Sequence, residues 1–150
     1  AFDSDAEPGL VDALREQNGL LLSLVAELDG QLVGHIAFSP MTIDGADSGL
    51  RLVALGPVAV LPDYQKMGIG GALIRQGISE CKASGYDLMF LLGHTEYYPR
   101  FGFVPAVPLG YGSAYTLGEG DHPHFMVLSL SEDVPLKGGF VRYHPAFDAL

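Results

Sequence analysis

Glycines set just beyond an apolar run carry the most chemistry in this sequence. The stretch Val58-Ala59-Val60-Leu61-Pro62-Asp63-Tyr64-Gln65-Lys66-Met67-Gly68-Ile69-Gly70-Gly71-Ala72-Leu73-Ile74 reads as a strand that enters a helix through a glycine-rich turn. Gly68, Gly70 and Gly71 remove side chains where a phosphate would have to touch backbone, and the first-turn amides and helix dipole supply the positive end. Lys66 adds a full charge. Spacing then separates the candidate ligands. A dinucleotide fingerprint needs Gly or Ala three places beyond the second glycine of Gly-x-Gly, but counting from Gly70 lands on Leu73, and no βαβ unit leads in. A Walker loop needs Gly-Lys followed by Ser or Thr, whereas Gly71 is followed by Ala72-Leu73-Ile74. Two readings stay open: a ligand-holding Q/R-x-x-G-x-G/A turn, here Gln65 to Gly70, and a tight turn whose glycines only serve packing.

Two other groups invite chemistry and are discounted. Asp121-His122-Pro123-His124 offers imidazoles and a carboxylate, but neither CxxC nor HExxH accompanies it, and a polar loop entering the Phe125 strand explains it. No metal is expected. Cys81, the single cysteine, falls on the apolar face of a helix, where burial is the expectation rather than nucleophilic work.

The elements that position these residues follow from periodicity. Leu10, Val11 and Leu14 predict a short amphipathic helix over 7–17, stopped by Asn18-Gly19. Leu20 to Leu28 and Gln31 to Phe38 read as strands joined by Asp29-Gly30, a pair that favours a type I′ hairpin. Met41 to Gly49 reads as a loop, and Leu50 to Val60 as a strand in which Gly56-Pro57 predicts a bulge or splay, since Pro lacks a ladder donor. Ile74, Ile78 and Cys81 predict a helix from about Gly68 to Ala83, ended by Ser84-Gly85. Asp87 to Leu92 reads as a strand covered on both faces. A short helix around Glu96 to Phe101, a strand near Phe103, a mostly loop stretch over 105–123, a strand from Phe125 to Leu130 and an extended segment over 138–145 complete the order. Phe101, Phe103 and Phe125 read as core.

A chain of 150 residues with this apolar share predicts one domain over 1–150, and no apolar run reaches the 18 residues a bilayer span needs. Eight basic against 18 acidic residues give a net charge of −10, a field that repels phosphate backbones. Neither nucleic acid nor a membrane is an expected partner. Ala1-Phe2-Asp3 opens without the basic and apolar regions of a targeting peptide, so the cytoplasm is the expected location.

With the turn at Gln65 to Gly70 and its preceding Val58-Ala59-Val60-Leu61-Pro62, the sequence resembles the GNAT superfamily of acyl-CoA-dependent N-acyltransferases. Two more segments extend the likeness. The hairpin Leu24 to Phe38 resembles that family's second and third strands, and Tyr98-Pro99-Arg100-Phe101-Gly102-Phe103 its Tyr-x-x-x-Gly-Phe block. The likeness covers roughly residues 20–130, with the three motifs in the family's order, and is strongest to a subgroup of small bacterial acyltransferases with a Tyr-Tyr-x-Arg-Phe-Gly-Phe block. It implies a mixed α/β fold: a central, mostly antiparallel sheet splayed between two parallel strands, with helices on both faces. The family's opening strand and helix have little counterpart before Leu10, so either residues are missing or the first strand is absent.

The resemblance implies acetyl-CoA as cosubstrate, with Val58 and Val60 pairing with pantetheine and Gln65, Lys66, Met67, Gly68, Ile69, Gly70, Gly71 and Ala72 forming the diphosphate turn. It implies direct transfer of an acetyl or similar acyl group to a primary amine, with backbone near Val60 polarising the thioester oxygen. Tyr98 stands where the family often carries a tyrosine that protonates the departing thiolate, a role suited to a phenol held beside sulfur; Tyr97 is its rival. Many relatives carry Glu just before the strand where this chain has Gly56-Pro57, which leaves His35, Glu27, His94, Glu96 or a water chain as base, with His94 ranked first. The acceptor is expected to be a small-molecule or peptide amine, and the acidity favours a cationic one. A homodimer is compatible with the sequence. Two other classes remain: a coenzyme A-binding regulatory module without catalysis, and an interaction domain whose glycines only pack.

Overall fold

The computed structural model describes residues 21–44, 49–132 and 134–145; the helix expected over 7–17 lies outside them. They group into two compact units. One holds the residues up to Ser39, Leu55–Glu80 and those from His144; the other holds Pro40–Ala54 and Cys81–Tyr143. The strands are β1 (Leu22–Leu28), β2 (Gln31–Ile43), β3 (Leu52–Val60), β4 (Leu88–Leu92), β5 (Val104–Pro105), β6 (Tyr111–Gly112), β7 (Phe125–Ser129) and β8 (Gly139–Arg142), and the α-helix is α1 (Ile69–Ala83). Hydrogen bonding orders them β5-β7-β4-β3-β2-β8-β6, with β1 on β2. The β1/β2, β2/β8, β4/β7 and β5/β7 pairs are antiparallel, and β3/β4 and β6/β8 are parallel. This is the mixed α/β sheet that the resemblance implied.

In the first unit, β1 and β2 meet through Asp29 and Gly30, both with positive φ (52° and 79°). That is the geometry a type I′ turn demands. The helix packs onto β2 closely because glycine stands at both surfaces. A Cβ on Gly34 would lie 3.1 Å from Ile69 Cγ2 and from Leu73 Cδ1, and one on Gly77 would collide with the ring of Phe38. Ile74 is fully buried on this face.

In the second unit, β4 buries Leu88, Met89, Phe90 and Leu91 in succession, so both its faces are covered. Phe90 stacks on Phe125 at 5.6 Å between ring centroids and meets Tyr111 edge-on at 5.4 Å. Met41, Leu52, Val127 and Val141 join the same cluster. Phe103 and Phe125 are core as expected, while Phe101 is half-buried. Cys81 is buried.

Two local expectations are corrected. The loop expected from Met41 begins later, because β2 runs on to Ile43, pairing Thr42 with Arg142 and Ile43 with Val141 and burying Met41. The helix expected over Glu96 to Phe101 shrinks to a 3-10 turn, Tyr98–Phe101, stopped by Gly102 at φ 98°. The strand expected near Phe103 is Val104–Pro105. Gly56-Pro57 does not interrupt β3, but the parallel β3/β4 ladder runs only from Leu52↔Leu88 to Ala54↔Phe90 and ends before it. Past Ala54, β3 continues to Val60 beyond the reach of that ladder. Among the described residues, no helix is long and apolar enough to cross a membrane.

Candidate cofactor and acyl-transfer residues

The glycine turn belongs to the first unit. Leu61 N–H donates to the Val33 carbonyl at 2.8 Å, which carries the sheet pattern one residue past β3. Pro62 then opens a 3-10 turn, Pro62–Tyr64, at a position where its missing N–H costs nothing. Tyr64 N–H closes the turn on the Leu61 carbonyl at 2.8 Å, and Tyr64 Oη donates to Gln31 Oε1 at 3.3 Å. Gln65 leaves extended, with φ −70° and ψ 156°, and its side chain doubles back: Nε2 donates to the Val60 carbonyl at 3.0 Å.

Lys66 and Gly68 then adopt positive φ, 65° and 84°. Backbone that alternates hand in this way gathers N–H groups into a concavity suited to anions. Ala72 N–H donates to the Gly68 carbonyl at 3.0 Å, so the amides of Ile69, Gly70 and Gly71 are the first-turn donors that a helix leaves without an internal acceptor. Open space surrounds the position a Cβ on Gly68 would take. Lys66, Met67 and Gly68 are exposed, Gln65 and Ile69 are half-buried, and Gly70 and Gly71 are buried. The site's donors are backbone amides at a helix N-terminus, a chemistry that fits a diphosphate. Val58 and Val60 are buried on the preceding strand.

Tyr98 and His94 belong to the second unit. The His94 carbonyl accepts from the N–H groups of Tyr97 and Tyr98, at 3.2 and 3.3 Å. This turn aims Tyr98 inward: it is 5% exposed, edge-on to Tyr97 at 5.2 Å and to Phe103 at 6.0 Å. Burial, with a smaller contribution from Tyr97, pushes its phenol well above the ordinary tyrosine value. Tyr97 is half-buried, with Arg100 4.6 Å over its ring. Burial thus separates the two neighbouring tyrosines. The side chains of His94 and Glu96 are exposed, and it is the His94 backbone that ties to Tyr98.

Of the other base candidates, Glu27 is exposed, and His35 Nε2 shares a 2.7 Å hydrogen bond with Ser23 Oγ. His122 Nε2 is 3.1 Å from the Gly118 carbonyl oxygen, and among the described residues no group of three His, Cys, Asp or Glu side chains could hold a metal ion. Sequence reasoning missed Gly93. A Cβ there would collide with the Tyr98 ring, and the only hint was a glycine directly after a covered strand.

A sequence profile of the acetyltransferase (GNAT) family matches residues 2–103, more than half the chain. The chain belongs to that family. It is 39% identical over 145 residues to the uncharacterized N-acetyltransferase YjhQ of Escherichia coli, covering 95% of this chain and 80% of that one. It superposes on the crystal structure of the GNAT family N-acetyltransferase YhbS from Escherichia coli in complex with CoA with a TM-score of 0.86 and 36% identity, over 99% of this chain and 81% of that one. For a GNAT family acetyltransferase from Brucella melitensis in complex with acetyl-CoA the figures are 0.74 and 46%, over 97% and 81%.

Proposed function

We propose that this GNAT chain is a single acyltransferase domain that moves an acetyl or similar acyl group from acyl-CoA to a primary amine. The carrying observation is the turn after β3, where left-handed Lys66 and Gly68 lead into the first-turn amides of Ile69, Gly70 and Gly71. Complexes of similar proteins with CoA and acetyl-CoA support this reading. In the reaction the amine nitrogen attacks the thioester carbon, the C–S bond breaks, and the sulfur leaves as thiolate.

The turn amides, with Lys66, hold the diphosphate, and Met67 and Ala72 flank them. Backbone of Val58 and Val60 pairs with pantetheine and polarises the thioester oxygen. Tyr98 stays protonated through the working pH range because burial raises its pKa, so it donates a hydrogen bond to the developing thiolate and returns a proton to it. His94, exposed and tied through its backbone carbonyl to Tyr98, takes the proton that the amine sheds. The acceptor is a cationic small molecule or a lysine-bearing peptide, drawn by the net charge of −10, and the reaction takes place in the cytoplasm.

The test is release of the coenzyme A thiol from acetyl-CoA in the presence of polyamines, aminoglycosides and lysine peptides. Turnover dependent on one amine class is expected; acetyl-CoA binding without turnover on any amine would leave the second reading, a coenzyme A-binding module. That reading is favoured by Gly56-Pro57, which stands where many relatives carry a carboxylate.

A further inference from the structure

We infer that Gln65 is a positioning residue whose side chain, rather than its backbone alone, sets the register between the acyl end and the diphosphate end of the bound acyl-CoA. The inference rests on the proposed function and goes beyond it. Its basis is the 3.0 Å hydrogen bond from Gln65 Nε2 to the carbonyl of Val60, five residues back. Val60 ends β3, and Gln65 begins the turn that leads to Gly68. Between them the 3-10 turn is closed by one firm bond, Tyr64 N–H to the Leu61 carbonyl at 2.8 Å, and by one at the distance limit, Gln65 N–H to the Pro62 carbonyl at 3.4 Å. The side-chain bond is therefore the shortest direct tie from the turn to the last strand residue.

Energetics argue that this tie serves geometry. The net stabilisation from one neutral hydrogen bond is of the same order as the rotamer freedom lost on ordering a glutamine side chain. The pair nearly cancels as a stabilising device. What it does is fix the strand end against the turn, and a ligand gripped at both places feels any change in their separation. A side chain of like length that lacks a donor should leave each place able to bind while breaking their register. Arginine, the other residue of the Q/R-x-x-G-x-G/A pattern, keeps a donor.

The test measures binding of whole coenzyme A and of its 3′-phospho-ADP half to wild type, Gln65→Met and Gln65→Arg, by calorimetry, together with kcat and KM for acetyl-CoA. The ratio of whole to half affinity cancels whatever a substitution does to the diphosphate turn itself. We expect that ratio to fall about tenfold in Gln65→Met, with a drop in kcat, and to return in Gln65→Arg. An unchanged ratio in Gln65→Met, or a fall that Gln65→Arg does not restore, would overturn the inference. If thermal melting shows Gln65→Met unfolded, Gln65→Glu, which also lacks a donor to a carbonyl, is read by the same ratio. Failure of the wild type to bind coenzyme A would instead fall on the proposed function.

Discussion

The ring of Tyr98 lies directly on Gly93: a Cβ on Gly93 would overlap the ring edge and stand 2.8 Å from Tyr98 Cδ2. Tyr98 is buried and cannot yield without leaving its seat between Tyr97 and Phe103. Gly93→Ala is therefore expected to move the phenol and, like Tyr98→Phe, to lower kcat by about 10²-fold or more where the phenol acts as the acid. The affinity for acetyl-CoA should stay within about twofold of wild type. Steady-state kinetics and calorimetry on both variants check this, and unchanged kcat in Tyr98→Phe would remove the acid role.

Gly68 separates backbone strain from ligand binding. Its φ of 84° strains any L side chain, although open space surrounds its Cβ position, so Gly68→Ala should cost about 1–2 kcal/mol of stability. A larger group projecting beside the turn amides should also exclude a diphosphate. Gly68→Glu is expected to abolish coenzyme A binding while remaining folded, as seen by denaturant unfolding and titration on the same sample.

Gly77 tests the packing of α1 on β2. In an open helix Gly→Ala gains about 1 kcal/mol, but here the new methyl meets the fully buried Phe38 ring. Overpacking costs about 1–3 kcal/mol, so Gly77→Ala should be net destabilising, with a lower urea midpoint. A raised midpoint would show that Phe38 can move aside.

Much of this architecture was legible in local residue patterns. Asp29-Gly30 marked the hairpin because positive φ at both positions suits those residue types, and the period of Ile74 and Cys81 marked α1. The end of β2 was hidden because its partner is remote: Arg142 pairs with Thr42, and its guanidinium meets the Asp44 carboxylate at 2.8 Å across 98 positions of sequence. The glycine turn was readable from its cluster of glycines after an apolar strand and from its family pattern, but the left-handed backbone of Lys66 was not. The seat at Gly93 and the Gln65 tie were not, because each depends on where a side chain lies after the chain has folded back.

Alkaline pH should unfold the protein through two phenols. Burial raises both Tyr98 and Tyr143 above the ordinary value of 10.0, with Tyr97 and Tyr115 adding to the shift, respectively. Above that pH the unfolded chain loses these protons while the folded chain keeps them, so the unfolded state binds fewer protons and stability falls as pH rises. The contribution is complete below about pH 10 and is lost progressively above it. Tyrosinate absorbance followed beside circular dichroism should show these two phenols ionising only as the fold is lost; their ionisation in a still-folded protein would contradict the burial.

Calorimetric titration of the wild-type chain with acetyl-CoA and coenzyme A, beside ATP and NADH, tests the central claim most directly. Saturable binding of acetyl-CoA and coenzyme A, with neither ATP nor NADH competing, is the predicted result. Absence of any heat or competition from acetyl-CoA and coenzyme A would contradict it, and the roles given to the glycine turn and to Tyr98 would fall together.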